Sequence, residues 1–382
     1  MKIGIFIPFS RSNPSATPNI IAGIKAGFAA TDDRDVEIHD YAVTSSRRMI
    51  TEVLNRAFYM DEVDIAIGNI GYCVLPNILK EVDLTGKLLF LTSIGADIVR
   101  EGDRHPNIFR NSLFYWQGLY QTGYDAIRDH GGVFTATTTL ETGFDSYLAY
   151  LTGCEDAGCA YVPFHQCDER DYVFRADPCI EKIKASGCNV VAALASGDNA
   201  AKIYRDVILN AAGAENRKVV LSPFFHDNAV LKSIGDLMIG TESYFGWADS
   251  LLDVDTHAVR DFLEAWKKSS KKTPDAFSVL GYETAKMICS AMDKCGRDEF
   301  DANALAAALE GTGLESPRGT IAMDPAAHTV NGMIYKRTLE KRDNAFRTVA
   351  TKAIMAQKDS DSRLSGKISI HGSRWLHDYL FI

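Results

Sequence analysis

Strand-like and helix-like segments alternate from the second residue onward, and this alternation restricts the fold more than any other feature of the chain. Lys2-Ile-Gly-Ile-Phe-Ile-Pro8 is a short apolar run of the length of a buried strand, and it ends in the polar loop Phe9-Ser-Arg-Ser-Asn-Pro14. The pattern predicts a helix from Pro18 to Ala30, a strand from Val36 to Tyr41, a helix from Ser45 to Tyr59 and a strand from Val63 to Ile67. A helix from Leu75 to Val82, a strand from Lys87 to Leu91 and an extended piece from Asn107 to Arg110 follow. Such alternation implies a mainly parallel sheet with helices on both faces. An open sheet of this kind takes its ligand beyond the carboxyl ends of its strands.

The pattern then restarts. Helices are expected at Gln117 to His130, Asp145 to Cys154, Pro178 to Ala185 and Asn199 to Ala212. Strands are expected at Gly132 to Thr138, Cys159 to Val162, Asn189 to Leu194 and Lys218 to Leu221. Two sheets of similar construction are therefore indicated, one after the other. Helices at His257 to Lys268, Pro274 to Lys294 and Asp301 to Leu309 pack back on a sheet, and strands return at Gly332 to Thr338 and Arg347 to Ile354. From Ala356 the chain is polar, then ends in the aromatic run Arg374-Trp-Leu-His-Asp-Tyr-Leu-Phe-Ile382. That run is read either as a helix docked on its own domain or as a contact for a second copy or a partner.

With 382 residues the chain exceeds what one core usually organises, so two domains are expected. A net charge of -9 excludes a nucleic-acid binder, whose phosphate affinity needs clustered Lys and Arg. The basic run Lys267, Lys268, Lys271 and Lys272 ends a predicted helix, where it favours the helix dipole. Cys154, Cys159, Cys167, Cys179 and Cys188 crowd one segment with His165, but without the repeated CxxC spacing of a zinc site. They read as disulfides in an exported protein and as buried thiols otherwise. Residues 2 to 8 are too short for a secretory leader, so the expectation is either a trimmed, exported chain or a cytoplasmic one.

No GxSxG elbow, P-loop, HExxH or dinucleotide fingerprint is present. His226-Asp227 are adjacent and lack a nucleophile, and Glu141 and Asp145 read as helix caps rather than a catalytic pair. No catalytic residue, metal or cofactor is expected.

Two tracts carry a family resemblance. One is Asp64-Ile-Ala-Ile-Gly-Asn-Ile-Gly-Tyr-Cys73 with Leu89-Phe-Leu-Thr-Ser-Ile-Gly-Ala-Asp97 and Asn107-Ile-Phe-Arg110. The other is Glu315-Ser-Pro-Arg-Gly-Thr-Ile-Ala-Met-Asp-Pro-Ala-Ala-His328, continuing to Tyr335. In their order and spacing the chain, over about residues 2 to 354, resembles the type I periplasmic binding proteins of the leucine/isoleucine/valine-binding family. The resemblance implies an α/β fold of two Rossmann-like lobes, residues 1–115 plus 252–330 and 116–251 plus 331–355, with a C-terminal extension over 356–382. Three hinge crossings are expected near Phe114 to Gln117, Ser250 to Asp253 and Thr329 to Gly332. The implied function is capture of a small polar or aromatic solute, related to an amino acid or an amide, by closure of the lobes. An ABC permease is the implied partner if the chain is exported. The alternative is a cytoplasmic sensor resembling the amide-sensing regulators, and a hydrolase-like enzyme is the third reading.

Carried over by position, the ligand-binding residues are Gly71, Tyr72, Ser93, Ala96 and Asp97 from lobe one and Phe144, Ser196 and Phe224 from lobe two. Ser10, Arg11 and Ser12 form one lip of the cleft, and Trp247 and Tyr282 are candidate walls. Tyr72 and Asp97 stand where amino-acid binders of the family carry small hydroxyl residues, and Phe224 where they carry a carboxylate for the amine. Asp97 would repel a ligand carboxylate. The aromatic residues suit a flat or aromatic ligand, with helix N-termini favouring an oxygen or anion at one end.

Overall fold

Strands buried on both faces read as near-continuous apolar runs. The first strand, β1 (Lys2–Phe6), has this character, with Ile3, Ile5 and Phe6 all buried. The computed structural model describes every residue except 32–35, 168, 171–172, 212–215, 296–300, 370–374, 376 and 382. After β1 come α1 (Ala16–Ala29), β2 (Glu37–Asp40), α2 (Arg47–Tyr59), β3 (Ile65–Gly68), α3 (Leu75–Thr85), β4 (Leu88–Ser93) and β5 (Ile108–Ser112). The chain continues through α4 (Tyr115–His130), β6 (Val133–Thr137), α5 (Thr139–Thr142), α6 (Asp145–Asp156), β7 (Phe164–Gln166), β8 (Glu169–Arg170), β9 (Val173–Phe174), α7 (Asp177–Ala185), β10 (Val190–Leu194) and α8 (Gly197–Lys202). A π-helical turn over Ile203–Ile208 leads into α9 (Leu209–Ala211), β11 (Lys218–Leu221), α10 (Asn228–Ile234), β12 (Glu242–Phe245), α11 (His257–Ser269), α12 (Ala276–Cys295) and α13 (Ala302–Glu310). Last are β13 (Gly313–Ser316), β14 (Gly319–Asp324), β15 (Thr329–Asn331), β16 (Met333–Arg342), β17 (Ala345–Met355) and α14 (Ser362–Ser369).

These strands build two large sheets, with β8 and β9 paired apart as a two-stranded antiparallel ribbon. One large sheet has the order β13-β14-β15-β5-β4-β3-β1-β2 and the other β17-β16-β12-β11-β10-β6-β7. Strands β1 to β5 pair in parallel, as do β6, β7, β10, β11 and β12, while β13 with β14 and β16 with β17 add antiparallel edges. The fold is thus an α/β assembly of two lobes, each a mostly parallel sheet flanked by helices. The chain passes from the first sheet to the second after β5, returns after β12, and passes again between Asn331 and Met333. These connections lie side by side. Gly246 N–H donates to Leu113 C=O at 3.0 Å, and a Cβ on Gly246 would stand 2.5 Å from that oxygen.

Helices α1 and α12 pack backbone to backbone on the first sheet. A Cβ at Gly23 would lie 2.2 Å from Ser278 C=O, and one at Gly281 2.2 Å from Ile20 C=O. Gly281→Val should therefore push the helices apart and cost about 1–3 kcal/mol or more, as overpacked contacts do. The check is a urea unfolding curve whose midpoint falls while its slope is unchanged. A midpoint within error of the parent would refute the close contact.

Two sequence expectations, the strand at Cys159 to Val162 and the helical terminus, are corrected by local chemistry. The strand placed at Cys159 to Val162 begins instead at Phe164: Pro163 has no N–H to give a ladder, and its C=O accepts from Thr135 N–H at 2.9 Å. The polar stretch after Ala356 contains helix α14. The described part of the aromatic terminus is a turn, not a helix, with Leu380 at φ +72°, outside the helical region. Of the five crowded cysteines, Cys154, Cys167 and Cys179 are buried in the lobe cores. Arg374 and Ile382, at the limits of the terminal run, lie outside the described residues.

Candidate functional site

Loops leaving the carboxyl ends of β1, β3 and β4 face loops leaving β6, β10 and β11. On one side the two sets are joined directly. Asp145 N–H, at the start of α6, donates to Asp97 Oδ1 across the cleft at 3.2 Å, and Ser146 N–H donates to Ala96 C=O at 2.8 Å. The Asp145 carboxylate accepts in return from Ile98 N–H at 3.2 Å and from Arg100 Nη2 at 2.6 Å. A helix N-terminus attracts anions. At α6 the anion is Asp97, so this end of the cleft is already satisfied from within the chain.

In the middle of the cleft is an aromatic cage with Glu141 at its base. Thr138 caps the short helix α5, its hydroxyl accepting from Glu141 N–H at 3.5 Å, and this turn aims the carboxylate inward. Tyr115 Oη donates to Glu141 Oε2 at 3.3 Å and Ser196 Oγ to Glu141 Oε1 at 3.5 Å. A third donor is the phenol of Tyr379, from the C-terminal segment, bonded to Glu141 Oε1. Burial pushes the Glu141 carboxyl up to about 7, and the hydroxyl donors offset part of that rise. Tyr115, Phe144 and Phe224 surround the Tyr379 ring with centroids 4.9, 5.1 and 5.4 Å away, Phe144 edge-on.

The segment carrying Tyr379 is held from both lobes. Ser10 Oγ and Ser12 Oγ donate to Leu380 C=O at 2.5 and 2.8 Å, and Asn69 Nδ2 donates to Asp378 Oδ2 at 2.7 Å. Trp375 Nε1 donates to Leu140 C=O at 3.0 Å. Burial pushes the Asp378 carboxyl up to about 7 against the bond from Asn69. Burying Leu380 and Phe381 contributes about 1.5–3 kcal/mol each. Fixing each residue costs about 1–2 kcal/mol. The two are of one size, so the hydrogen bonds decide whether the segment stays. Beside it the cleft keeps a cavity of about 80 Å³, bordered by Phe224, Asp227, Trp247, Asp275 and Arg337.

Of the residues named from the sequence, the structure brings together Ser10, Phe144, Ser196 and Phe224 in the cage and its rim, with Ala96 and Asp97 at the interlobe bonds. Arg11 is exposed on the same loop as Ser10. Ser93 Oγ turns back to accept from Gly95 N–H at 3.1 Å. Gly71 is buried in the turn into α3, and Tyr72 lies instead under the Arg110 guanidinium, 5.5 Å from it, joined to the apolar cluster of Ile70 and Val74. Trp247 borders the small cavity, its indole donating to Asp249 at 3.2 Å. Tyr282 is not at the cleft: it packs edge-on to Phe262 at 5.1 Å in the helix layer, because α12 turns that face toward α11. Missed were Glu141 as more than a cap, Tyr115, Asn69 and Tyr379. The signal for Tyr379 was present in the aromatic terminal run, but its destination was not. Since Tyr379, Leu380 and Phe381 are buried within their own chain, they offer no surface to a second copy.

A model of the periplasmic binding protein family matches residues 1–343. The Leu/Ile/Val-binding protein homolog 6 of Brucella melitensis is 24% identical over 360 residues, covering 90% of this chain and 88% of that protein. The solute-binding protein of an R. palustris ABC transporter, solved with 4-hydroxybenzoate, shares the fold with a TM-score of 0.76 at 20% identity, covering 94% of this chain and 98% of its own. The leucine-, isoleucine-, valine-, threonine- and alanine-binding protein of Brucella ovis, in its closed conformation, does so with a TM-score of 0.74 at 15% identity, over 93% and 96%. No helix among the described residues is long and apolar enough to cross a membrane.

Proposed function

The chain belongs to the periplasmic binding protein family, and from that premise we propose that it is the solute-binding component of an ABC importer that closes its lobes on a small aromatic solute. The lobes are residues 1–115 plus 252–330 and 116–251 plus 331–355, and the closed pair is what a permease outside the cytoplasm would meet. The observation that carries the solute class is the cage of Tyr115, Phe144 and Phe224 around a phenol whose hydroxyl is bonded to Glu141. Rings packed edge-on and offset on three sides favour an aromatic body, and an acceptor at the base favours a hydroxyl donor. Ser10, Ser12 and Asn69 supply donors and an acceptor at the opposite end, suited to a polar group para to that hydroxyl. A leucine-like solute is disfavoured, because Asp97 already holds the helix N-terminus where its carboxylate would be drawn. The three similar proteins named above are binding proteins, each solved with or named for small organic solutes, which favours transport over sensing.

Thermal shift of the full chain with 4-hydroxybenzoate, tyramine and leucine tests the reading. A phenolic solute at 100 times its Kd adds about 2.7 kcal/mol to native stability. The expected result is a rise in Tm with a phenol and none with leucine. The reverse order would overturn the assignment.

A further inference from the structure

The cleft is not left for solvent: the chain's own terminus fills it, and does so with the contacts of a bound ligand. Tyr379 supplies a ring to the cage and a phenol to Glu141. Leu380 offers one carbonyl to two hydroxyls, Ser10 from the floor of the first loop and Ser12 from its rim. Asp378 meets the amide of Asn69, and Trp375 covers Gly143 so closely that a Cβ there would stand 1.8 Å from the indole nitrogen. A ring in a closed pocket, a backbone carbonyl held by paired donors and a carboxyl held by an amide are the means by which a peptide is read. The match to the family ends at residue 343, so these residues lie beyond it.

We propose that this cleft is a binding site for a tyrosine-bearing peptide segment, that residues 375 and 377–381 of the chain are its resident occupant, and that a free solute binds only by displacing them. The proposal rests on the reading of this cleft as the solute site and deepens it. Two features leave room for displacement. Asn69 Oδ1 is buried with no partner among the described residues, so a solute carrying a donor there satisfies an atom that the tail does not. Leu380 sits at φ +72°, a conformation that a side chain with a Cβ adopts rarely and that a free solute need not adopt. Being tethered, the tail competes at high effective concentration, and it lowers the apparent affinity of any solute by the fraction of clefts left open.

Calorimetric titration of the full chain with p-cresol, the free side chain of tyrosine, and with a synthetic peptide of residues 375–382 tests this. Tyr379→Gly empties the cage and is expected to bind both probes, with the parent protein binding each at least ~10-fold more weakly. Ser10→Ala/Ser12→Ala, which releases the Leu380 carbonyl but keeps the cage, is expected to admit p-cresol more readily than the parent. Circular dichroism shows which variants are folded. Equal affinities in the parent and the folded variants overturn the proposal and leave the solute role of the cleft standing. Failure of both probes to bind any folded variant overturns it as well. Peptide binding without binding of any small aromatic solute removes the solute reading and, with it, the claim that a free solute displaces the tail, so it overturns the proposal as stated. Amide hydrogen exchange of residues 378–381 in the parent is the check that needs no variant: core-like protection is expected, and exchange at the unprotected rate would overturn the proposal.

Discussion

Glu283→Gln is expected to lower stability by about 3–5 kcal/mol, the range for breaking a buried ion pair from one side. Glu283 and Arg318 are 0% and 1% exposed at their side chains, with Arg318 Nη2 at 2.8 Å from Glu283 Oε2 and Nε at 2.8 Å from Oε1. Neither charge has water to fall back on. Ser316 donates to the same carboxylate, Asn111 Nδ2 donates to it at 3.2 Å, and Arg318 Nη2 donates to Asn111 Oδ1 at 3.0 Å. The substitution keeps the shape and removes the charge, so the guanidinium is left buried with an uncompensated charge. Its consequences should extend to the lobe connections, since Arg318 lies over the Phe114 ring at 4.4 Å and its C=O accepts from Tyr335 Oη at 2.7 Å. A urea denaturation series measures the loss. Glu283→Leu combined with Arg318→Met should recover much of it, because a well-packed apolar pair has no desolvation penalty. A loss below about 1 kcal/mol in the single variant would show that the pair is hydrated in solution.

How far the sequence revealed this architecture depends on the range of the interaction concerned. Val190, Val191, Ala192, Ala193 and Leu194 are apolar because β10 is covered on both faces, and that requirement is visible in five consecutive residues. The same holds for β1 and β4. Pro163 could have moved the start of β7, since its missing N–H is a local fact. Glu141 was legible only as a cap, because Thr138 three residues earlier supplies a sufficient local reason for it. Its burial comes from Tyr115, Ser196 and Tyr379, the last 238 residues away, and no periodicity encodes that distance. Asp97 was read as a charge facing the ligand, whereas its partner is a backbone N–H of the other lobe. Tyr282 erred in the opposite direction: its aromatic ring made it a candidate wall for a flat ligand, whereas the helical spacing of α12 puts it among core residues. Long-range pairing decides the site, and local pattern decides the sheets.

Between pH 5 and pH 8 the protein is expected to lose stability as pH rises. Burial pushes the carboxyls of Glu141, Asp227 and Asp378 up to about 7, and those of Asp275 and Asp359 up to about 6, from ordinary values of 4.5 for Glu and 3.8 for Asp. Each of these groups binds its proton more tightly folded than unfolded. In the window between the two values the native state therefore carries more protons, and the slope of stability against pH is negative. The contribution is fully present below the unfolded values and lost once pH has passed the folded ones. His226 works against this: burial, with the nearby Arg337 charge, holds its imidazole well below 6.5, so it adds stability as pH rises toward that value. Burial lowers the His377 imidazole as well, so two imidazoles oppose five carboxyls, and the net slope stays negative. Glu141→Gln isolates one contributor, since it keeps the hydrogen-bonding outline and cannot ionise. The variant should match the parent near pH 5 and exceed it near pH 8 by on the order of 1–3 kcal/mol. Calorimetric melting at the two pH values measures the difference, and parallel curves would mean that Glu141 is solvated. Because the Tyr379 ring excludes water from Glu141, Tyr379→Gly should flatten the same slope. A stability curve against pH thus reports whether the terminus occupies the cleft.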